Sequence, residues 1–377
     1  MMNLDTNTED LFPALWETEF MKDDSAKCAV LEEIIRLADI RKNKKLGFEA
    51  RLALVQAGIF SGAIDKALVS FSWCLSQADQ DPEKFNEADL MWEYKWIVDF
   101  LPSFPQIKKE QIQGMLEDLE KRYEKNGGSK YPVLMLQRSI TIRMGNQEES
   151  KKYHSLLKQT QRGHLSDCAA CVQNSEVDYA YRLGQYETVL EKAKPIVSGK
   201  LRCAKVPHLT YGYLLLPLLR LNQPEEAARL HTIGYKLAAK SAALLGTVAD
   251  HLLFLGVTGE IAKAIKLLEK HFGSAFGTPD LDNRFQFYKA AKFLTERLLL
   301  LNLESVKIRL PKTFPNYKEK GNYAVSELDF WFGKEVSQLA SRFDSRNGND
   351  SYSENLKDLK ALHELAQERQ KHSQENN

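Results

Sequence analysis

Three thiols and one imidazole carry the most evident chemistry in this chain. Cys168-Ala169-Ala170-Cys171 sets two sulfurs one backbone turn apart, the spacing of half a tetrahedral zinc site. Cys203 falls near the start of the next helical segment, so stacking of neighbouring segments is expected to bring it beside that pair. His208 is the expected fourth ligand; His164, or less comfortably Asp167, is an alternative. A zinc ion held there would be structural, since nothing nearby offers a convincing general base. Two other readings stay open. Free cysteines are often small buried core residues, as Cys28 and Cys74 are expected to be. Cys168 and Cys171 would alternatively form a reversible redox pair, although they lack the strand-to-helix turn of thioredoxin-like motifs.

The other reactive residue types point elsewhere. His154 and His231 share one position after their turns, where Phe71 and Leu268 stand in other segments, so they are expected to replace apolar packing residues. His251 and His271 also sit in apolar surroundings. No nucleophile elbow, phosphate loop, dinucleotide turn or metalloprotease helix is present. Carboxylates fall in mixed-charge runs such as Glu117-Asp118-Leu119-Glu120-Lys121-Arg122, as on solvated helix faces. The aromatic group Trp92, Tyr94, Trp96 and Phe100 is expected to be core, with Trp96 and Lys95 as a candidate groove lining.

The elements that must position these residues follow a rhythm. A Gly or Asn followed five positions later by a small residue recurs at Gly62/Ala67, Gly145/Ser150, Gly184/Val189, Asn222/Ala227 and Gly259/Ala264. The last four recur about every 38 residues, and the first gap spans about two such periods. The missing hairpin is supplied by helices over 87–100 and 108–125, separated by Leu101-Pro102-Ser103-Phe104-Pro105. The pattern predicts an all-α chain, a right-handed α-solenoid of about six helix-turn-helix repeats over 48–272. Residues 1–47 form an N-terminal lead-in and capping helix, and 273–345 a helical cap containing a short strand near Val306. Residues 346–377 form a linker and a charged terminal helix carrying Leu356, Leu359, Leu362 and Leu365 in a stripe. That helix is either solvated or a small docking element.

At its turns the chain resembles the tetratricopeptide repeat family, through Gly184-Gln185-Tyr186 and the small residues Ala67, Ala227 and Ala264. The first-helix Trp position of that family holds Arg51, Leu134, Gln173, Tyr211 and Val248 here, and the period is longer. HEAT and armadillo repeats are therefore the alternative helical-pair type. The stretches around Asp167-Cys168-Ala169-Ala170-Cys171, Leu201-Arg202-Cys203 and Val206-Pro207-His208 also resemble a group of bacterial tetratricopeptide-like proteins. The likeness to that bacterial group implies no activity, whereas a solenoid has a concave face, made by its first helices, that can hold a peptide or protein. Asn174, Asp178 and Tyr181, then Arg138 and Tyr211, are the expected contacts.

Composition narrows the function classes. In 377 residues, 52 Lys+Arg balance 51 Asp+Glu for a net charge of +1, which argues against nucleic-acid binding through a basic surface. No apolar run is long enough for a membrane span, no secretory signal is visible at the start, and five cysteines make no disulfide framework. A cytoplasmic, non-catalytic binding scaffold is the expectation. A zinc-dependent enzyme using the Cys168/Cys171/Cys203 corner and a peptide-responsive regulator are the alternatives.

Overall fold

The structure is a computed structural model that describes residues 11–375, with side chains to residue 371. The first ten residues of the expected lead-in lie outside the described residues. What is described is all-helical apart from two three-residue strands.

After a short helix, α1 (Phe12–Glu17), the chain runs through a succession of helices. They are α2 (Ser25–Ile40), α3 (Lys44–Ser61), α4 (Ile64–Gln80), α5 (Met91–Phe100), α6 (Lys109–Lys125), α7 (Tyr131–Arg143) and α8 (Gln147–Gln159). Then come α9 (Ala169–Arg182), α10 (Tyr186–Val197), α11 (His208–Arg220), α12 (Pro224–Ala238), α13 (Leu245–Val257), α14 (Ile261–Gly277) and α15 (Leu281–Leu300). Strands β1 (Ser305–Lys307) and β2 (Asn322–Ala324) pair antiparallel before α16 (Val325–Asn347) and α17 (Ser351–Glu375).

The five recurring turns share one geometry. Gly62, Gly145, Gly184, Asn222 and Gly259 all take left-handed backbone, with φ of 91°, 83°, 67°, 55° and 76°. Glycine enters that region without a Cβ penalty, and asparagine is among the side chains that tolerate it. At four of them the next N–H reaches back to the carbonyl five residues earlier: Asn146 to Thr141, Gln185 to Ala180, Gln223 to Leu218 and Glu260 to Leu255. That bond ends one helix, and the next begins two residues after the turn residue. The small residues Ala67, Ser150, Val189, Ala227 and Ala264 are fully buried where the two helices approach. At the first turn the approach is tight enough that a Cβ on Gly58 would lie 3.1 Å from that of Ala67.

The two helices of each turn pack on each other, and the first helices contact in order: α3 on α5, then α7, α9, α11, α13 and α15. The core is not one continuous body. A large apolar group spanning Phe48 to Met144 and another from Val177 to Ala366 are separate. The α7–α9 joint between them is polar. Arg138, only 1% exposed, pairs there with Glu176, donates to Ser175 Oγ at 2.7 Å and meets His154 Nδ1 at 3.0 Å.

Of the two expectations for the C-terminal helix, solvated or docked, the packing matches the docked one. Gly348 (φ 72°) ends α16 in a tight turn, so the expected flexible linker is an ordered helix cap. Asp344 accepts from the N–H groups of Tyr352 (2.8 Å) and Ser353 (3.0 Å) at the start of α17. The leucine stripe then has an apolar surface to cover, and Leu359, Leu362, Leu365 and Ala366 are buried with α13, α15 and α16.

Two contacts join segments remote in sequence. Ser241 Oγ donates to the Phe60 carbonyl at 2.9 Å. Arg346 donates to the Pro102 carbonyl at 2.8 Å and to those of Phe104 and Ile107 at 3.3 Å.

Candidate functional site

Cys168 is the residue that caps the start of α9, and Cys171 lies in its first turn. Cys203 opens a four-residue turn closed in both directions, its N–H bonding the Val206 carbonyl at 2.9 Å and the Val206 N–H returning at 3.2 Å. These two pieces bring the three sulfurs within 4.8 Å of one another. Three thiolates around one zinc, each about 2.3 Å from it, would stand within that limit. The group is not a packing cluster. Cys28 and Cys74 are buried, whereas Cys168 and Cys203 are exposed and Cys171 is half-buried. Burial raises the Cys168 thiol, but the N–H of Cys171, the thiols of Cys203 and Cys171 and the N–H of Ala170 outweigh it and hold it below its ordinary range. Burial and the neighbouring sulfurs push Cys171 the other way.

The expected fourth ligand does not join the group. His208 is held below its usual pKa by burial and by Lys240, against a hydrogen bond with the Lys205 backbone. Asp167 is occupied by Lys95, which pairs with it at 2.8 Å, also donates to the Leu165 carbonyl and lies 3.4 Å from the centre of the Trp92 ring. Lys95 is therefore an interior strut, 2% exposed, and not part of a groove.

A second feature is a polar recess where the first helices meet. Asp99 (α5), Arg143 (α7), Asp178 and Arg182 (α9), Tyr213 (α11) and Asp250 (α13) fall within electrostatic reach of their neighbours in that series. Lys205, Asp280, Asp282, Lys289 and Tyr352 extend it. The Asp99 side chain keeps 41% of its exposure, yet burial raises its pKa. Both hold if water reaches it through an opening with protein on every other side. Arg143 donates to the Asp99 carbonyl at 2.7 Å and carboxylate at 3.3 Å, and Arg182 pairs with Asp178 at 2.9 Å. Tyr352 donates to Asp282 at 2.8 Å, and Lys289 to Asn355 at 2.5 Å.

Two charges in this recess have no hydrogen bond or ion pair within the described residues. Lys205 reaches in from the Cys203 turn, its ammonium 4.7 Å from the centre of the Phe60 ring and 5.8 Å from that of Phe100. Burial pushes it down to about 8, against Asp99, Cys171 and Asp280. Asp250 lies across α13, where burial pushes its carboxyl up to about 7 against Lys289 and Arg182. Gly212 packs close beside it: a Cβ there would stand 2.8 Å from its Oδ2 and 2.9 Å from Thr247 Cγ2. Tyr181 and Tyr213 lie against each other with ring centres 5.4 Å apart and planes tilted by 31°, and burial raises both hydroxyls far above their usual range, so they remain neutral.

Of the residues expected to meet a partner, Asp178 and Tyr181 border the recess. The other three are inside the protein. Arg138 is locked into the α7–α9 joint, Asn174 accepts from Thr210 at 2.6 Å, and Tyr211 packs against Gly234. Lys205, Asp250, Arg143 and Arg182 were not expected there. The two arginines had a signal: each stands two residues before its turn glycine. No protein-family model matches this chain, and none of the curated proteins does.

Proposed function

We propose that this chain is a non-catalytic binding scaffold: an α-solenoid of tetratricopeptide-like hairpins whose inner face holds an extended peptide segment bearing both signs of charge. One observation carries the reading. Side chains from successive first helices converge on a solvent-reached recess in which a lone ammonium, Lys205, and a lone carboxylate, Asp250, lack partners. Each charge is half-buried and loses part of its hydration, and a ligand offering a carboxylate to one and a cation to the other would offset that loss. Tyr181 and Tyr213 add amphipathic aromatic surface to the recess. Successive first helices of a solenoid make the extended inner surface that such proteins use for binding.

We propose further that Cys168, Cys171 and Cys203 hold a structural zinc. A zinc enzyme would need a base beside an open coordination position, and among the described residues no carboxylate or imidazole joins the three sulfurs.

The test is fluorescence anisotropy with defined hexapeptides: mixed-charge, all-acidic, all-basic and neutral. The mixed-charge set should bind best, and Lys205→Met and Asp250→Asn should each weaken it about tenfold, as loss of one buried charge pair implies. Binding that ignores both substitutions, or none at millimolar peptide, ends the reading.

A further inference from the structure

The turn that carries Cys203 into the sulfur group also carries Lys205 into the recess, two residues later. Beyond its own closure, that turn is tied on its α11 side, where the Leu209 N–H bonds the Lys205 carbonyl at 3.2 Å, and has little to hold it on the α9 side. Val206 packs only in a small apolar group with Ala170 and Ile196, flanked by Cys171 and Leu201 and separate from the large core. Its two internal backbone bonds fix its shape but do not anchor it to α9. A small satellite cluster supplies little burial, whereas a bound ion joins its ligands directly.

We propose that the three-cysteine corner governs the recess: an ion held by Cys168, Cys171 and Cys203 fixes the 203–206 turn and so holds the Lys205 ammonium against Phe60 and Phe100, where it receives the anionic end of the ligand. Lys205 is a positioning-dependent binding residue, and the ion acts on the ligand only through it. The ion class follows from the donors. Thiolates select soft or borderline ions, and a three-sulfur site with an exposed side suits Zn²⁺. Its three thiolates leave a net negative charge, and Lys205 is the cation within electrostatic reach of Cys171. The same ion ties the turn to the start of α9, the helix that carries Asp178, Tyr181 and Arg182. The anionic end of this inference rests on the proposed peptide-binding reading; the coupling of metal to Lys205 does not.

The experiment uses the full chain labelled with 13Cε-lysine, the Lys205 signal being assigned by its absence in Lys205→Arg. Zinc-loaded protein should show that signal displaced by the two rings. Stripping with a chelator should return it to the position of exposed lysines while helical circular dichroism is retained, and adding Zn²⁺ alone should restore it. Cys203→Ser should behave as stripped protein, and Cys203→His, which keeps a ligand, should recover the shift at higher Zn²⁺. A Lys205 signal that ignores zinc, a chain that retains no zinc, or a stripped chain that loses its helices overall each overturns the coupling.

A second arm measures fluorescein-labelled Lys-Ala-Ala-Ala-Ala-Glu. Zinc-loaded protein should bind it at least fivefold tighter than stripped protein, and Lys205→Met should abolish that difference. If the signal shift responds to zinc but no form binds the peptide, the recess reading fails and the coupling stands. If zinc-loaded and stripped protein bind the peptide equally while Lys205→Met weakens both, the coupling to binding fails and the recess reading stands.

Discussion

The imidazoles of His231 and His251 meet Nδ1 to Nδ1 at 3.0 Å, so one ring must hold its proton there and the other must not. Both are kept neutral by burial, His231 down to about 4 with Lys263 adding to the shift, and His251 down to about 3 with His231 adding to it. His271, bonded to Tyr235 at 3.0 Å, is pushed down to about 4 by burial and Lys270.

Acid should therefore weaken the α12–α14 region. For a histidine depressed in the folded state the unfolded chain binds the proton first, so stability is complete above about 6.5 and falls as pH drops towards 4. His251 alone accounts for roughly 3 kcal/mol by pH 4. Urea unfolding between pH 7 and 4 should show this slope, and His251→Leu should flatten it. An unchanged slope in the variant would place the acid sensitivity elsewhere.

Asp250 should act in the opposite sense. Its folded carboxyl, near 7, binds a proton more tightly than the unfolded one, so stability falls as pH rises from about 4 to 7 and is level above that. Asp250→Asn should leave stability at pH 4 nearly unchanged and raise it at pH 8, by on the order of 1 kcal/mol given water access to the recess. A cationic ligand group needs the ionised carboxylate, so peptide affinity should drop below pH 7 in the native chain, and Asp250→Asn should remove that acid limb while keeping the loss near pH 8 as Lys205 gives up its proton. A native affinity that does not fall between pH 7 and 6 would remove Asp250 from the contact.

The turn glycines separate backbone strain from collision. Gly184 has φ of 67° and nothing within 4 Å of a built Cβ, so Gly184→Ala should cost only the left-handed penalty, about 1–2 kcal/mol. Gly145 has φ of 83° and its Cβ would stand 2.5 Å from Ser351, so Gly145→Ala should cost more and loosen the start of α17. Denaturant midpoints rank the two. Equal losses would mean that Ser351 yields without cost.

The C-terminal helix should behave as core. Leu362 is 7% exposed against the main apolar group, so Leu362→Ala should destabilise by about 2–3 kcal/mol in urea unfolding. A loss under 0.5 kcal/mol would mean a solvated helix after all.

How much of this was legible in the sequence depends on how local each cause is. The left-handed turns at Gly145, Gly184, Asn222 and Gly259 could be read directly, because their requirement is met by one residue and its period. The meeting of Cys203 with Cys168 and Cys171 followed from equivalent places in adjacent segments. His208 did not follow, because its direction depends on how the Cys203 turn closes and on the Lys205 carbonyl. Arg138 looked like a surface contact, since nothing local shows that Glu176, Ser175 and His154 surround it. Lys205 and Asp250 occupy unlike positions in their segments, so no period points to the recess they share. The docking of α17 was visible only as a leucine stripe, without the surface it covers.

The bonds from Ser241 to Phe60 and from Arg346 to Pro102, Phe104 and Ile107 have a mechanical consequence. A row of hairpins touching only its neighbours would stretch like a spring when its ends are pulled. Here segments far apart in the chain are bonded to one another, so an early extension should meet stiffness, and only after those bonds release should the helices pay out in turn.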